Sequence, residues 1–509
     1  MAEAETYNLI SGRRRLLATI ALASANLMVI LDLTVANVSV PHIAGNLGIS
    51  PSQGTWVITS YAVAEAISVP LTGWLAGRFG AVRTFVLGVI GFGIFSVLCG
   101  MSVTLGMLVV CRIGQGLCGG PLMALTQTLL IRLYPPEKRA QATGLWAMTS
   151  FVGPALGPIL GGMISDNLSW HWIFFINVPV VLFCAITAYK LLRPLETPTA
   201  KRRIDVVGLA LLIVWIGALQ IMLDIGREHD WFADTTVIAL GVVAVIGFLA
   251  FVIWELTEEH PIVDIRMFRH RGFTVGSLTL AMGFSTYFAG IVVIPQWMQL
   301  SLGYTATRAG LATALTAMTG MFVVRLAPIA ANKFDPRIIL SCALVWIGFA
   351  TLLRTNWTSG SDFWTLASPQ IVLGMALPFF MVTVMTVTLA SVAPNEVASA
   401  AGLQNFMRTI ALAAATSLTM TYWDDQASVA GSELAGKINA DTTTAALAAA
   451  GFSPEQIRMT LAQLVSKEAL TLATVKVFLI AGLTCWMIAV WVWMAPRPKA
   501  KVPAGGGGH

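Results

Sequence analysis

Stretches of about 20 apolar residues, each long enough as a helix to cross a hydrocarbon layer of about 30 Å, follow one another from residue 15 to residue 495. Only 11% of the chain is charged, where soluble domains carry about 25%. A soluble fold is excluded. In lipid every backbone polar group must be satisfied within the chain, so the spans are expected as helices and the protein as all-α and integral to the membrane. Marking apolar runs between polar breaks predicts fourteen spans, near 16–41, 54–77, 84–104, 105–131, 140–164, 171–192, 205–226, 233–255, 273–300, 307–331, 338–354, 362–391, 397–421 and 472–495. The six cysteines all fall within these runs and lack metal-ligand spacing, which reads them as packing residues and predicts no metal.

With the N-terminus placed in the cytoplasm, the cytoplasmic loops hold Arg78, Arg83, Arg132, Lys138, Arg193, Arg269, Lys333 and Arg337 among others. The alternate loops hold few cations, and that asymmetry orients a multi-pass chain with both ends cytoplasmic. The net charge of +6 therefore belongs to loops, and no nucleic-acid partner is expected. A weak repeat links Gly73-Trp-Leu-Ala-Gly77-Arg78-Phe79-Gly80 to Pro328-Ile-Ala-Ala-Asn332-Lys333-Phe334-Asp335. Transporters built from two repeated halves place substrate between them. The expected layout is a six-helix bundle over 1–195, two inserted helices over 196–260, and a second six-helix bundle over 261–495. Segment 422–471 is expected outside the membrane with a small helical cap started by Ser453, Pro454 and Gln456. Residues 496–509 form a tail ending in a tag-like Gly run.

Ionisable groups within spans are costly and usually functional, which singles out Asp32, Glu65, Arg112, Asp224, Arg325 and Arg408. Asp32, Glu65 and Arg112 each fall roughly 12–16 Å below the extracytoplasmic surface at 1.5 Å per residue. Equal depth permits a cluster in which burial and a nearby guanidinium poise a carboxylate to exchange a proton. Asp224, beside Gly226, suits a solvated helix end. Arg325 and Arg408 lie about as deep from the cytoplasmic side, where each could meet an acid, an anionic substrate or a backbone carbonyl.

The fifth span reads Gly153-Pro154-Ala-Leu-Gly157-Pro158-Ile-Leu-Gly161-Gly162. Glycines at every fourth position make a close-packing ridge, and the prolines remove amide donors. This run resembles the antiporter motif of the major facilitator superfamily. The chain from 15 to 495 resembles its fourteen-spanner drug:proton antiporters, the EmrB/QacA type, in Leu31-Asp32-Leu-Thr34-Val-Ala-Asn37, in Arg112-Ile-Gly-Gln115-Gly116 and in Trp170-His-Trp172-Ile-Phe-Phe-Ile-Asn177-Val-Pro179. The resemblance is strongest around Leu219-Gln-Ile-Met-Leu-Asp224-Ile-Gly226.

That resemblance implies a major facilitator fold of two pseudo-symmetric six-helix bundles plus two inserted helices. It implies proton-driven export of hydrophobic or amphiphilic drugs by alternating access, with Asp32 and Arg112 in proton coupling, to which depth adds Glu65, and no cofactor besides the proton gradient. It also implies a bacterial inner membrane, an EmrA-type periplasmic adaptor and a TolC-type outer-membrane channel. The cytoplasmic loop motif, Gly73, Arg78, Gly80 and Arg83, departs from the family pattern: Gly77 stands at the usual acidic position and Ala81-Val82 at the usual basic pair. An adaptable aromatic and Met-rich set, Tyr287, Phe288, Gln296, Trp297, Met375, Phe379 and Phe380, joined by Asn405 and Arg408, is the expected substrate-binding region. A symporter of one metabolite is the alternative within transport. A channel or membrane enzyme finds no support in nucleophile, phosphate-loop or metal motifs.

Overall fold

Helices in this chain start where the sequence supplies a cap. Thr104, Asp205, Asp234, Thr305, Asp335, Asp362 and Ser453 each accept a hydrogen bond from an amide in the first turn that follows, satisfying donors left over at a helix start. Asp234 sits at the end of the bundle, and the Thr236 amide, with His229, holds its carboxyl below the usual range. Glycines in the left-handed region end α1 at Gly48 and α11 at Gly303, a conformation that other residues resist.

The computed structural model describes residues 10–49, 51–135, 138–200, 204–226, 229–259, 261–393, 396–437, 447, 449 and 452–496. The tail 497–509 lies outside the described residues. The helices run α1 Gly12–Leu47, α2 Pro51–Ser68, α3 Thr72–Phe79, α4 Ala81–Gly100, α5 Leu105–Leu133, α6 Arg139–Asn167, α7 Trp172–Phe175 and α8 Asn177–Thr187. Then come α9 Val206–Ile225, α10 Thr235–Thr257, α11 Arg271–Leu302, α12 Ala306–Val323, α13 Leu326–Lys333, α14 Pro336–Leu352, α15 Phe363–Leu389, α16 Val397–Lys437 and α17 Pro454–Trp491. No strand occurs among the described residues.

Ten helices among the described residues are long and apolar enough to cross a membrane. The other expected spans are helical too but less simply so. Two are broken, α2 from α3 and α12 from α13. The remaining two, α6 and α16, are long but interrupted by Gly, Ser, Thr, Asn and Gln.

Packing separates two groups of helices. In the first, α1 lies on α6 and α2 on α5, with α4 between α5 and α8; in the second, α11 packs on α16 and α17, and α14 and α12 on α15. The inserted α9 and α10 pack on each other, and α9 also touches α2 and α16. The groups meet along α6 and α12, and where α16 crosses α3 and α5. One end of the bundle, the basic face, carries Arg83, Arg132, Arg269, Lys333 and Arg337, while the opposite face carries Asp230, Asp234, Asp362 and Glu468.

Segment 422–471 differs from the expected loop with a separate helical cap. Its described parts continue α16 to Lys437 and begin α17 at Pro454. The Ser453–Gln456 capping box is present, yet the helix it starts runs unbroken into the membrane. Apolar and small residues on both extensions keep them paired, and Lys476 Nζ donates to Gln426 Oε1 across the pair at 2.7 Å.

At this end Trp297 is fully buried and stacks on Trp357, rings 5.4 Å apart and 4° from parallel, while its Nε1 donates to Thr471 Oγ1 at 3.0 Å. Trp297 thus ties α11 to α17. Trp297→Ala is expected to cost about 3–5 kcal/mol, read as a several-degree fall in the thermal unfolding midpoint of the detergent-solubilised protein.

Candidate functional site

Between α1, α5 and α8 lies a fully enclosed polar cluster. Arg112 Nη1 donates to Asp32 Oδ2 at 2.5 Å and Nε to the Val57 carbonyl at 2.9 Å. Gln115, one turn further along α5, donates to Asp32 Oδ1 at 2.9 Å, and Asn177 Nδ2 donates to the same oxygen at 2.8 Å. Asn177 also reaches Ser96 Oγ at 3.0 Å, and Gln115 Oε1 accepts from Arg112 at 2.9 Å. Asp32 is 3% exposed and Arg112 fully buried. The guanidinium lies over the Tyr61 ring, 4.3 Å from its centroid. In a low-dielectric interior such a pair persists because both carboxylate oxygens accept hydrogen bonds, Oδ2 from Arg112 and Oδ1 from Gln115 and Asn177.

The local sequence explains the closeness. Gly116 and Gly120 let α2 approach α5: a Cβ on Gly116 would fall 2.5 Å from the Tyr61 carbonyl oxygen, and one on Gly120 2.1 Å from Ser68 Oγ. The spacing that aligned Asp32 with Arg112 by depth is therefore met in space. Gln115 and Asn177 stand in the motifs quoted above, and Gln115's position three residues after Arg112, on the same helix face, was the signal that it shares the carboxylate. Glu65 does not join this hydrogen-bonded set. It is buried on α2, where Arg408 of α16 and Arg112 both act on it electrostatically.

Beside Asp32 lies a cavity of about 160 Å³ between α1, α6 and α8, lined mainly by apolar side chains with Ser24, Asp32 and Asn177 as its polar points. It borders the carboxylate on the side away from Arg112's helix.

The glycine ridge packs α6 on α1. A Cβ on Gly153 would lie 2.4 Å from Ile30 Cγ2, on Gly157 2.1 Å from Thr34 Oγ1, and on Gly161 2.9 Å from the Val35 carbonyl oxygen. Gly162 has nothing in that range and stands off the ridge. Asn26 donates to Thr149 at 2.7 Å and Ser39 pairs with Ser165 at 2.8 Å along the same seam. Pro154 and Pro158 leave α6 continuous.

At the start of α3, Gly73 is closed on by Ser399 of the second group, and between α3 and α4 Gly80 takes φ +95° beside Glu196. Glu196 accepts from the Val82 amide at 2.8 Å and the Arg83 amide at 3.1 Å, and lies 4.0 Å from the exposed Arg83 guanidinium. The acid absent at Gly77 is thus supplied from beyond α8, capping α4. Arg78 is partly buried at the end of α3.

The expected substrate set is not brought together. Tyr287, Phe288 and Phe380 adjoin Phe284, which faces the Arg408 guanidinium at 5.3 Å. Phe379 packs partly buried beside them. Trp297 is packing in a separate aromatic cluster, Gln296 is half-buried and Met375 is exposed. Asn405 Nδ2 donates to Gln127 Oε1 at 3.2 Å and Arg408 Nη2 to Met123 Sδ at 2.9 Å, both across the two groups. Arg325 is exposed at the break before α13. Asp224, at the end of α9, accepts from Thr59 of α2.

Removing one partner of a buried pair costs about 3–5 kcal/mol. Asp32→Asn is expected to destabilise by that order, and Asp32→Asn combined with Arg112→Gln to recover part of it, read in thermal unfolding. For the seam, Gly157→Leu is expected to separate α1 from α6 and abolish transport while membrane expression persists; wild-type transport by this variant contradicts a tight seam.

Comparison with known proteins places this architecture. Residues 22–416 match the Major Facilitator Superfamily. The Multidrug export protein EmrB of Escherichia coli (strain K12) is 43% identical over 98% of this chain and 99% of that one. The Fatty acid resistance protein FarB of Neisseria gonorrhoeae is 39% identical over 99% of this chain and all of that one, at 100%. Among solved structures, a bacterial homolog of the human lysosomal transporter Spinster, inward-facing and occupied, covers 95% of this chain and 97% of its own at a TM-score of 0.54 and 17% identity, a likeness of fold alone. This chain belongs to the major facilitator superfamily of membrane transporters, in the group of the EmrB-type export proteins.

Proposed function

We propose that this protein exports hydrophobic and amphiphilic drugs in exchange for protons, by alternating access, with the proton gradient as its only driving agent. The observation that carries this reading is Asp32. It is a carboxylate buried in the membrane, held by Arg112, Gln115 and Asn177, with a side cavity reaching it. Protonation removes the charge that Arg112 answers and loosens the contact between α1 and α5. A substrate that favours the other arrangement then competes with the proton through a shared equilibrium, the reciprocity antiport requires. Glu65 and Arg408 extend the coupling across the two halves, since they belong to α2 and α16.

The halves proposed to rock are residues 1–195 and 261–495, with 196–260 inserted, and all fourteen helical rods cross the membrane. The positive-inside rule puts the basic face and both termini in the cytoplasm. Phe284, Tyr287, Phe288, Phe380 and Arg408 form the candidate substrate surface. Because EmrB is named a multidrug export protein and this chain matches it end to end, the proposed setting is a bacterial inner membrane, with an EmrA-type adaptor and a TolC-type channel completing the route outward. The paired extensions of α16 and α17, on the face away from the basic loops, offer the adaptor a surface.

The test is export of a fluorescent amphiphilic drug in proteoliposomes under an imposed pH gradient. Parent protein is expected to move drug against the proton flow, and Asp32→Asn to lose gradient-driven movement while still exchanging drug for drug. Undiminished gradient-driven export by Asp32→Asn removes Asp32 from coupling.

A further inference from the structure

The second group of helices holds a buried cation that nothing above employs. Arg354, 2% exposed, follows α14 and reaches inward, where Nη2 donates to Gln370 Oε1 at 2.8 Å and the guanidinium lies 5.0 Å from the Phe478 ring centroid. Thr316 Oγ1 donates to the same Gln370 oxygen at 3.0 Å. Arg354 Nε and Gln370 Nε2 are buried donors without a hydrogen-bond acceptor. None of the salt bridges among the described residues includes Arg354. A cation this deep is expensive unless something negative answers it.

The helix registers say what is missing. Arg112 stands seven residues after Leu105, the first of α5, and Gln370 seven after Phe363, the first of α15. Cys99 stands eighteen after Ala81 on α4, and Arg354 eighteen after Pro336, the start of α14. Tyr61 is ten after Pro51, Thr316 ten after Ala306. The second half thus sets a guanidinium at the register of Cys99 and an amide at that of Arg112, with the guanidinium on the helix before the one that carries it in the first half. Asp32, twenty residues after Gly12, corresponds to Ile291, twenty after Arg271, beside Gly290. Gly290, its neighbour on α11, is the one that faces the cation: a Cβ there would lie 2.8 Å from Arg354 Nη1. Where the first half has a carboxylate, the second has Ile291 in register and Gly290 facing the cation.

We infer that Arg354, Gln370 and Thr316 form a seat for the carboxylate of an anionic amphiphile, which takes the place that Asp32 fills in the first half. Arg354 supplies the charge and a planar pair of donors suited to a carboxylate; Gln370 Nε2 supplies another. Ile291, Ile294 and Leu373 line the same void and offer an apolar surface to the chain of the ligand. The void is about 10 Å³, room for about one water, so seating a headgroup requires Ile291 or Leu373 to change rotamer. The inference rests on the reading of the protein as an exporter of amphiphiles and names the ligand class and subsite within it.

Binding is measured without a gradient, so failure of the seat is distinguishable from failure of proton-driven export. Parent protein in nanodiscs is titrated with laurate and with its uncharged methyl ester. One charge-assisted hydrogen bond supports at least about a tenfold preference for the anion. Gly290→Asp supplies the missing carboxylate from within and is expected to abolish that preference, while its thermal unfolding midpoint stays at or above the parent's. Arg354→Lys retains charge and is expected to retain part of the preference; Arg354→Gln loses it. Parental preference in Gly290→Asp overturns the proposal, as does an equal affinity of parent protein for acid and ester. Chloride competing with neither, or chloride binding without any acid preference, separates a carboxylate seat from a site for an inorganic ion; the second outcome also overturns it.

Discussion

A guanidinium or carboxylate withdrawn from water into hydrocarbon loses several kcal/mol of hydration, and the interior of this protein is arranged around recovering it. Asp32 on α1 receives donors from α5 and α8, and those donors fix the three helices to one another at a single point. Any event that changes the charge on Asp32 changes how many of those contacts are worth keeping. Glycines draw the surrounding helices in, those of α5 admitting α2 and those of α6 admitting α1.

The same accounting separates the two halves. In the first, charge is balanced internally by Asp32 and Arg112. Across the interface it is shared, with Glu65 on α2 and Arg408 on α16. In the second, Arg354 has no ion-pair partner among the described residues. In the proposed exchange cycle the first half is the one that answers to protons and the second the one that answers to the amphiphile.

Much of the fold was legible because bilayer thickness imposes a length on apolar runs, and each expected span is helical here. Asp32 and Arg112 were legible for the same reason, since depth along a helix can be counted. The ridge of Gly153, Gly157 and Gly161 was legible from its four-residue period, while Gly162 shares the composition and not the face. Glu196 was hidden because capping a helix more than a hundred residues earlier leaves no periodic trace. Arg354 was hidden because it ends an apolar run, where an Arg reads as a solvated helix end; only folding turns it inward. Trp297 and Phe380 look alike in sequence, and packing alone assigns one to an aromatic brace and the other to the region near Arg408.

The continuation of α16 and α17 beyond the bundle has a mechanical consequence. The sixteen residues of α16 after Thr421 extend roughly 24 Å at 1.5 Å per residue. The helix that carries Arg408 and Asn405 inside the membrane therefore ends in a rigid arm outside it. A tilt of about ten degrees about its buried part would sweep the tip through about 4 Å relative to the helix's exit point. Small adjustments around a buried cation are thereby converted into displacements large enough for a neighbouring protein to follow.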